Sequence, residues 1–270
     1  SLGTVRDIYG NNILLNFRQI NSNKIPLPIS STDIFTLRIQ KNSALKLLFF
    51  YTWLSLDFKT EIFILSSLID SGLTVTNYLP IANKFNSYSA NMGLSKYFYD
   101  FKTTISLNGA FTKNKSQALI NEKLIPYMAN QFLIRIKTKS RFLNNFILST
   151  MIEKDITNTR AEENGVFNTD LIRNTTQAEL KHIITSRFSY AISFIRHLSF
   201  IDKNTSSAVN FLDADFNYRP LKSKIGFNVS CTNLLNQKFY LEYNNTPISL
   251  YYFQVPLRAR TIIFTIDFAF

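Results

Sequence analysis

Long apolar runs are missing from this sequence of 270 residues, although 46% of them are hydrophobic. No stretch reaches 18 uninterrupted apolar residues, which excludes an ordinary transmembrane helix. The richest region, residues 44–58, is interrupted by Lys46, Thr52, Ser55 and Asp57. A membrane-spanning β-strand needs only about 9–11 residues with one apolar face, so a membrane protein built from strands stays open.

Cysteine and histidine are equally scarce. A single cysteine, Cys231, rules out an internal disulfide and a cysteine metal cluster. It shares one face of a predicted strand with Phe227 and Val229, as a small apolar residue would. Two separated histidines, His182 and His197, do not predict a metal site. We therefore expect no metal and no other cofactor.

Positive charge is abundant but not clustered. The net charge is +12, yet the basic residues are spread along alternating segments rather than gathered in a run or a basic helix. No nucleic-acid motif is present. We therefore do not expect nucleic acid as a partner.

Alternation with period two is the dominant pattern. In residues 260–270 one face of a strand would be apolar, and the other would carry Thr261, Thr265, Asp267 and Ala269. The same pattern recurs at residues 101–112, 131–139, 188–200 and 221–232, and helical spacing fits none of these stretches as well. Phe and Tyr, at 25 and 13 residues, are typical of strands and of membrane interfaces. These features predict an all-β protein.

About twelve strands are predicted, near residues 32–41, 44–58, 85–98, 101–113, 129–139, 141–153, 172–186, 187–202, 208–219, 221–232, 247–256 and 259–270, with another possible near 11–20. Short links should fall near residues 42–43, 99–100, 140, 187 and 219–220, and long polar ones at 59–84, 114–128, 154–171, 203–207 and 233–246. Short turns that alternate with long loops are typical of outer-membrane barrels. A soluble β-sandwich is the alternative, disfavoured because the apolar faces are long and aromatic.

The C-terminal region carries a more specific pattern. An Asn-Leu-Leu-Asn segment is followed by a tyrosine, a Pro/Arg turn and an alternating strand that ends in Phe. This pattern resembles the C-terminal signature of TonB-dependent outer-membrane transporters, over about the last 45 residues. Leu235 stands where the family commonly has Phe, and Ala259 where it has Gly. The signature residues are Asn233, Leu234, Leu235, Asn236, Tyr240, Pro256, Arg258, Arg260, Phe268 and Phe270.

The resemblance implies energised uptake of a scarce solute through a plugged barrel in the outer membrane of a Gram-negative bacterium. Since such barrels have about 22 strands, residues 1–270 would be the C-terminal part of the barrel domain, without the plug. Residues 1–10 also lack the apolar core of a secretion signal, so we expect a mature, processed or truncated chain. Implied partners are outer-membrane lipid, the barrel-assembly machinery, the plug and TonB system through upstream sequence, and in some members an outer lipoprotein lid.

Within such a transporter, no chemistry on the solute is expected, and the solute would meet the long loops and the lumen. Loop candidates are Asp70, Tyr78, Lys84, Lys115, Tyr127, Arg160, Glu162 and Glu163. A basic lumen face is predicted from Lys102, Arg135, Lys137, Lys139, Lys181, Arg187, Lys222 and Lys224. Water and lumen carboxylates would also satisfy these charges, because barrel interiors are polar by default.

Two other functions remain open. The chain could be a self-contained barrel of about twelve strands that acts as a passive channel or structural protein. It could also be an outer-membrane phospholipase, because His197 and Ser199 form a His-x-Ser pair. Catalysis is disfavoured because alternation puts both residues on the lumen face, whereas a lipid substrate requires the outer face.

Overall fold

A computed structural model describes residues 12–16, 19–22, 30–70, 73–143, 145–161, 168–201, 206–221, 223–246 and 249–268. All of the regular elements in these residues are strands, and none of the described residues forms a helix long and apolar enough to cross a membrane. The strands are β1 Asn12–Asn16, β2 Gln19–Ser22, β3 Ser30–Ser43, β4 Leu48–Glu61, β5 Ile64–Asp70, β6 Leu73–Leu79, β7 Asn83–Phe98, β8 Thr103–Ile120, β9 Lys123–Phe142, β10 Phe146–Ala161, β11 Thr169–Ile183, β12 Phe188–Phe200, β13 Ser206–Tyr218, β14 Ile225–Thr232, β15 Phe239–Thr246, β16 Ser249–Pro256 and β17 Thr261–Phe268.

The fold is one extended sheet, most of it antiparallel. Eleven strands follow one another by antiparallel pairing in the order β3-β4-β7-β8-β9-β10-β11-β12-β13-β14-β17. The β5–β6 hairpin joins the far end of β8 through a short parallel contact of β5, and β2 lies parallel to β6. Strands β15 and β16 form a separate two-stranded sheet. The prediction of an all-β, antiparallel fold is confirmed.

The register confirms that the sheet has two chemically different faces. Ile136 of β9 lies opposite Leu107 of β8 and Ile152 of β10, whereas its neighbour Arg135 lies opposite Asn108 and Glu153. Because paired residues share a face, the first row belongs to what we call the apolar face and the second to the polar face. Many large side chains of the apolar face are exposed, among them Phe35, Ile152, Phe264 and Phe268 at 58–63% of their surface.

The apolar residues lie at different positions along neighbouring strands when the strands are aligned by their hydrogen-bonded register. On β8, Ile105 is the apolar residue nearest the β7–β8 turn. The register line from it passes through Thr138, Thr150, Ala178 and Phe194 to Leu212 on β13, where Phe216 and Tyr218 lie nearer the corresponding turn. The apolar rows therefore shift steadily along the hydrogen-bonded register. Such a stagger is expected when strands are inclined to the layer that they cross.

Two ends of the sheet differ in their connections. The links from β3 to β4 (44–47), from β7 to β8 (99–102), from β9 to β10, from β11 to β12 (184–187) and from β13 to β14 lie at one end, which we call the short-turn end. The opposite end, the long-connection end, carries the links from β4 to β7, from β8 to β9, from β10 to β11, from β12 to β13 and from β14 to β17. The predicted short links at 99–100, 187 and 219–220 fall between the strands and are confirmed, whereas those at 42–43 and 140 lie within the ends of β3 and β9.

The prediction of a loop at 114–128 is wrong. Strands β8 and β9 continue through this segment to a two-residue turn, Asn121-Glu122, whose φ angles of 46° and 67° are both positive. Such angles define the turn that best matches the twist of a hairpin, and Asn adopts them readily. The Asn121 side chain also accepts a hydrogen bond from the Ile69 backbone N–H at 2.8 Å, which anchors the turn to β5.

Other predicted loops also contain strand residues that alternation did not reveal. Residues 154–171 include the end of β10 and the start of β11, and residues 203–207 include the start of β13. Two further loops contain whole strands. Residues 59–84 include the end of β4, the hairpin of β5 and β6, and the start of β7. Residues 233–246 include β15, which pairs with β16. These strands are short and pair locally or with the sheet's outer end, so their sequences lack the long two-faced pattern of the central strands.

Candidate functional site on the polar face

Charged groups on the polar face lie in paired rows across β9, β10 and β11. Arg135 forms an ion pair with Glu153, the residue directly opposite on β10. Asp155, in the next row, accepts hydrogen bonds from the Gln131 side-chain amide at 3.1 and 3.2 Å and faces Arg173 at 3.8 Å. The acidic residues of β10 therefore neutralise part of the basic surface, in a region where side chains are half-buried.

The predicted basic residues occupy three different places. Arg135, Lys137 and Lys139 form a row on the polar face of β9, opposite Glu153, Met151 and Ser149. Lys181 lies on the same face of β11, and with Arg187 and Asp267 it borders a cavity of about 310 Å³ at the short-turn end. Lys102, Arg187 and Lys224 lie in short turns rather than along a strand, and Lys222 lies outside the described residues.

The β15–β16 hairpin contacts the polar face near the long-connection end of β11 and β12. Arg173 of β11 donates a hydrogen bond from Nη2 to the carbonyl oxygen of Tyr243, at 2.6 Å. The ring of Tyr240 lies 6.2 Å, between centroids, from the ring of His197 on β12. Here the polar face is buried rather than open: Leu171, Ser199, Val209 and Tyr243 expose between 2 and 6% of their surface.

Tyr240 is the hairpin residue with the most specific polar environment. Burial raises the pKa of its phenol, Glu242 raises it further, and Arg173 and a hydrogen bond with Ser199 act in the opposite direction. The phenol is thus neutral at physiological pH and can donate or accept a hydrogen bond. Tyr240 belongs to the predicted signature, and the structure assigns it a docking contact between the hairpin and the sheet.

His197 and Ser199 share the polar face of β12, as alternation predicts. Each has a different partner: the Nδ1 atom of His197 lies 3.1 Å from the Thr175 hydroxyl, and Ser199 bonds to Tyr240. Ser199 is also 4% exposed. This arrangement does not resemble a serine nucleophile activated by a neighbouring histidine.

Asn233 organises the connection between the sheet and the hairpin. Its side-chain amide donates hydrogen bonds to the carbonyl oxygens of Gln237 at 2.9 Å and Arg258 at 2.7 Å, and its carbonyl oxygen accepts one from the Gln237 N–H at 2.8 Å. Its own N–H donates to the Asp213 carboxylate at 2.7 Å. With a φ of 54° and 8% exposure, Asn233 is a buried turn residue whose side chain holds both connections together.

The other signature residues lie around Asn233 or in the strands next to it. The Leu234 N–H donates to the Leu212 carbonyl, and the Asn236 N–H donates to the Asn233 carbonyl, both at 2.8 Å. Pro256 ends β16, Arg258 and Arg260 are exposed in the link to β17, and Leu235 is 43% exposed. Phe268 is exposed on the apolar face, and Phe270 lies outside the described residues.

The predicted loop candidates lie mostly on strands. Asp70 is on β5 and Tyr78 on β6, while Glu162 and Glu163 lie outside the described residues. The remaining four are brought together, since all of them border one cavity of about 330 Å³: Lys84, Lys115, Tyr127 and Arg160. Sequence reasoning missed this cluster because it ended the adjoining strands too early. Alternation of Lys113 and Lys115 with Asn114 and Ser116 was the available signal.

Comparison of the chain with protein-family models, with curated proteins and with solved structures found no match.

Proposed function

We propose that this chain forms part of the wall of an outer-membrane β-barrel, and that the barrel belongs to an energised transporter of the TonB-dependent kind. The observation that carries the membrane proposal is the pairing of one apolar and one polar face over a long staggered antiparallel sheet. In a barrel, the apolar face would contact lipid and the polar face would line the lumen. The stagger agrees with the inclined strands that barrel closure requires.

The aromatic side chains of the apolar face support the proposal. Near the short-turn end, Phe142, Phe146, His182 and Tyr190 contact one another in sequence across four strands, with ring centroids 3.8–5.6 Å apart. Tyr218, Phe227 and Phe264 continue the series on β13, β14 and β17. A belt of aromatic rings at one end of an apolar face is typical of the membrane–water boundary.

The edges of the sheet support membership of a larger barrel. Within the described residues, β3 and β17 each pair on one side only, and both carry exposed apolar residues such as Phe35 and Phe264. Unpaired strand edges are costly in hydrocarbon because their backbone groups have no partner. Further strands from the same barrel would satisfy both edges. The transporter class is supported by the C-terminal signature, which is a resemblance in sequence.

Neighbouring residues on β10 provide the test of membrane insertion. In a Cys231→Ser background, a spin label would be attached at Ile152→Cys, on the apolar face, or at Met151→Cys, on the polar face. In reconstituted bilayers of the native full-length protein, we expect relaxation of the label at 152 to respond mainly to oxygen. The label at 151 should respond mainly to a water-soluble nickel chelate. Equal responses at the two positions would refute the barrel-wall proposal.

A second candidate function is a self-contained passive channel, favoured by the basic row Arg135, Lys137 and Lys139 on the polar face. The mass of the native polypeptide in outer membranes separates the two candidates. A mass far above 31.2 kDa, or a co-purifying partner of similar size, supports the transporter. A mass of about 31.2 kDa without a partner, together with anion-selective conductance in planar bilayers, supports the channel and contradicts the transporter.

A further inference from the structure

Three cationic side chains gather on the apolar face, on the long-connection side of the row that contains Phe111 and Phe132. Lys84 of β7, Lys115 of β8 and Arg160 of β10 border the cavity of about 330 Å³. In the register, Asn86 lies opposite Lys115, and Met128 lies opposite both Lys115 and Arg160. Lys84 is two residues beyond Asn86 on the same face. Strand pairing therefore collects residues that are distant in sequence.

The spacing of these residues lets them share one ligand. Lys115 and Arg160 are separated by one intervening strand, so their backbones lie about 10 Å apart, because neighbouring strands are about 4.8 Å apart. Lysine and arginine side chains are long and carry their charge at the tip. The three tips can therefore converge over the Met128 side chain between them.

The charge of the cluster is only partly neutralised. Arg160 forms an ion pair with Asp170 at 2.5 Å and donates to the carbonyl oxygens of Thr159 and Thr169 at 3.0 and 3.2 Å. Lys84 and Lys115 are exposed, and neither forms an ion pair with a carboxylate in the part of the chain that the structure describes. The cluster thus retains positive charge available to an anion.

The position of the cluster identifies the source of that anion. Toward the short-turn end, the nearest apolar row contains Phe111 and Phe132, which are 41 and 45% exposed. On β8, Lys113 follows Phe111 by two residues and Lys115 follows it by four, all on the apolar face. Cations just beyond the hydrocarbon layer lie at the depth of lipid headgroups. The long-connection end is the outer end of a bacterial barrel.

We propose that Lys84, Lys115 and Arg160 bind the phosphate groups of an anionic lipid in the outer leaflet. This inference rests on the membrane function proposed above. Phosphate oxygens accept charge-assisted hydrogen bonds from ammonium and guanidinium groups, while the lipid chains lie along Phe111 and Phe132. Such a lipid would fix the depth of the barrel and hold this part of its outer rim in place.

The test uses the purified full-length native protein in detergent and lipid A, a phosphorylated glycolipid, as the probe in native mass spectrometry. The double variant Lys84→Gln/Lys115→Gln should bind lipid A about 25-fold more weakly, since each lysine beside anionic lipid contributes about fivefold. Lys84→Arg/Lys115→Arg, which keeps both charges, should bind like the wild-type protein. Unchanged affinity in the glutamine variant, or the same loss in the arginine variant, would overturn the proposal.

The matched control is Lys41→Gln/Lys96→Gln. These lysines lie on the same face of β3 and β7 but toward the short-turn end, so the change in charge is equal and the position differs. We expect wild-type affinity, and a comparable loss would mean that total charge, not the cluster, attracts the lipid. Competition by millimolar sodium phosphate alone would instead show a site for free phosphate, which also contradicts the lipid proposal.

Spin labels at 151 and 152 in the glutamine variant distinguish failure of the lipid site from failure of the barrel-wall proposal. If the label at 152 still responds to oxygen while lipid affinity is unchanged, the barrel wall stands and the lipid site falls. If both labels respond to the nickel chelate already in the wild-type protein, the membrane function falls, and the lipid site falls with it.

Discussion

Asn233 donates a hydrogen bond to the carbonyl oxygen of Arg258 at 2.7 Å, across 25 residues of sequence. This bond joins the two backbone links through which the chain leaves β14 and returns to β17. The Asn-Leu-Leu-Asn segment and the Pro/Arg turn, which are separate along the sequence, are therefore parts of one hydrogen-bonded structure.

Replacement of Asn233 should destabilise this junction strongly. Asn233→Ala removes three side-chain hydrogen bonds. It also places alanine, which has no polar side chain, at a positive φ. At about 1 kcal/mol per bond, we expect the free energy of unfolding to fall by about 3 kcal/mol. Urea titration in detergent micelles, followed by near-UV circular dichroism, measures the change.

Asn236→Gly is the matched control for this variant. Asn236 has a φ of 55°, and among the residues that the structure describes only its backbone N–H bonds within the junction. Glycine adopts that φ without strain, so the free energy of unfolding should change little. An equal loss in both variants would mean that the effect does not come from the three side-chain hydrogen bonds of Asn233.

Gly93 should not tolerate a side chain. It lies opposite Tyr51 and Asn108 on its two neighbouring strands, and the Tyr51 ring crosses it to donate a hydrogen bond to Asn108 at 3.3 Å. An added β-carbon would lie 2.0 Å from the ring. We expect Gly93→Ala to lower the free energy of unfolding by about 1–3 kcal/mol, as overpacking does. The same urea titration measures it.

Gly109→Ala serves for comparison, because its β-carbon would meet only the flexible Met92 side chain, at 3.3 Å. It should cost much less than Gly93→Ala. In a Tyr51→Ala background the obstacle is gone, so adding Gly93→Ala should have little further effect. Full additivity of the two substitutions would disprove contact between Gly93 and the tyrosine ring as the cause.

Arg173 should control the docking of the β15–β16 hairpin on the polar face. Arg173→Met removes the hydrogen bond to the Tyr243 carbonyl and the contact with Asp155. Val209 is 2% exposed beneath this region, so a cysteine there reports opening of the hairpin. In a Cys231→Ser/Val209→Cys protein, we expect a water-soluble maleimide to react about 10- to 150-fold faster after Arg173→Met, since a charge-assisted hydrogen bond contributes about 1.5–3 kcal/mol.

Arg196→Met is a suitable control for the hairpin experiment. Arg196 precedes His197 on β12 but lies on the opposite face. Its loss should leave the reaction rate of the cysteine at 209 unchanged. Acceleration by both variants would indicate general loosening of the sheet instead of release of the hairpin.

The Arg135–Glu153 pair should stabilise the polar face modestly. The two side chains are 36 and 20% exposed, so solvent screens part of their attraction. A double-mutant cycle with Arg135→Met and Glu153→Gln should give a coupling free energy of about 1 kcal/mol, smaller at high salt. A coupling near zero that does not change with salt would mean that the pair is incidental. The substitutions Lys139→Met and Ser149→Ala, at a neighbouring register pair without an ion pair, provide the control cycle.

The sequence alone determined which residues share a face in the central strands. Phe132, Ile134 and Ile136 alternate with Arg135, Lys137 and Lys139, and a strand must send these two sets to opposite faces because its side chains repeat every two residues. The strand class, the antiparallel order and the position of most short turns follow from the same local rule. Asn233 and Arg258 were likewise identifiable as parts of one signature.

Only the tertiary structure decided the length of some strands, the docking of the β15–β16 hairpin and the grouping of residues from different strands. The Asn121-Glu122 turn lacks the glycine that usually marks a two-residue hairpin, so the length of β8 and β9 became visible only from their pairing. Docking of the β15–β16 hairpin depends on Arg173, which lies 70 residues from its partner Tyr243. Lys84, Lys115 and Arg160 lie on different strands, and only the register between those strands brings their charges together, because that register depends on the pairing partner and the turn as well as on the strand itself.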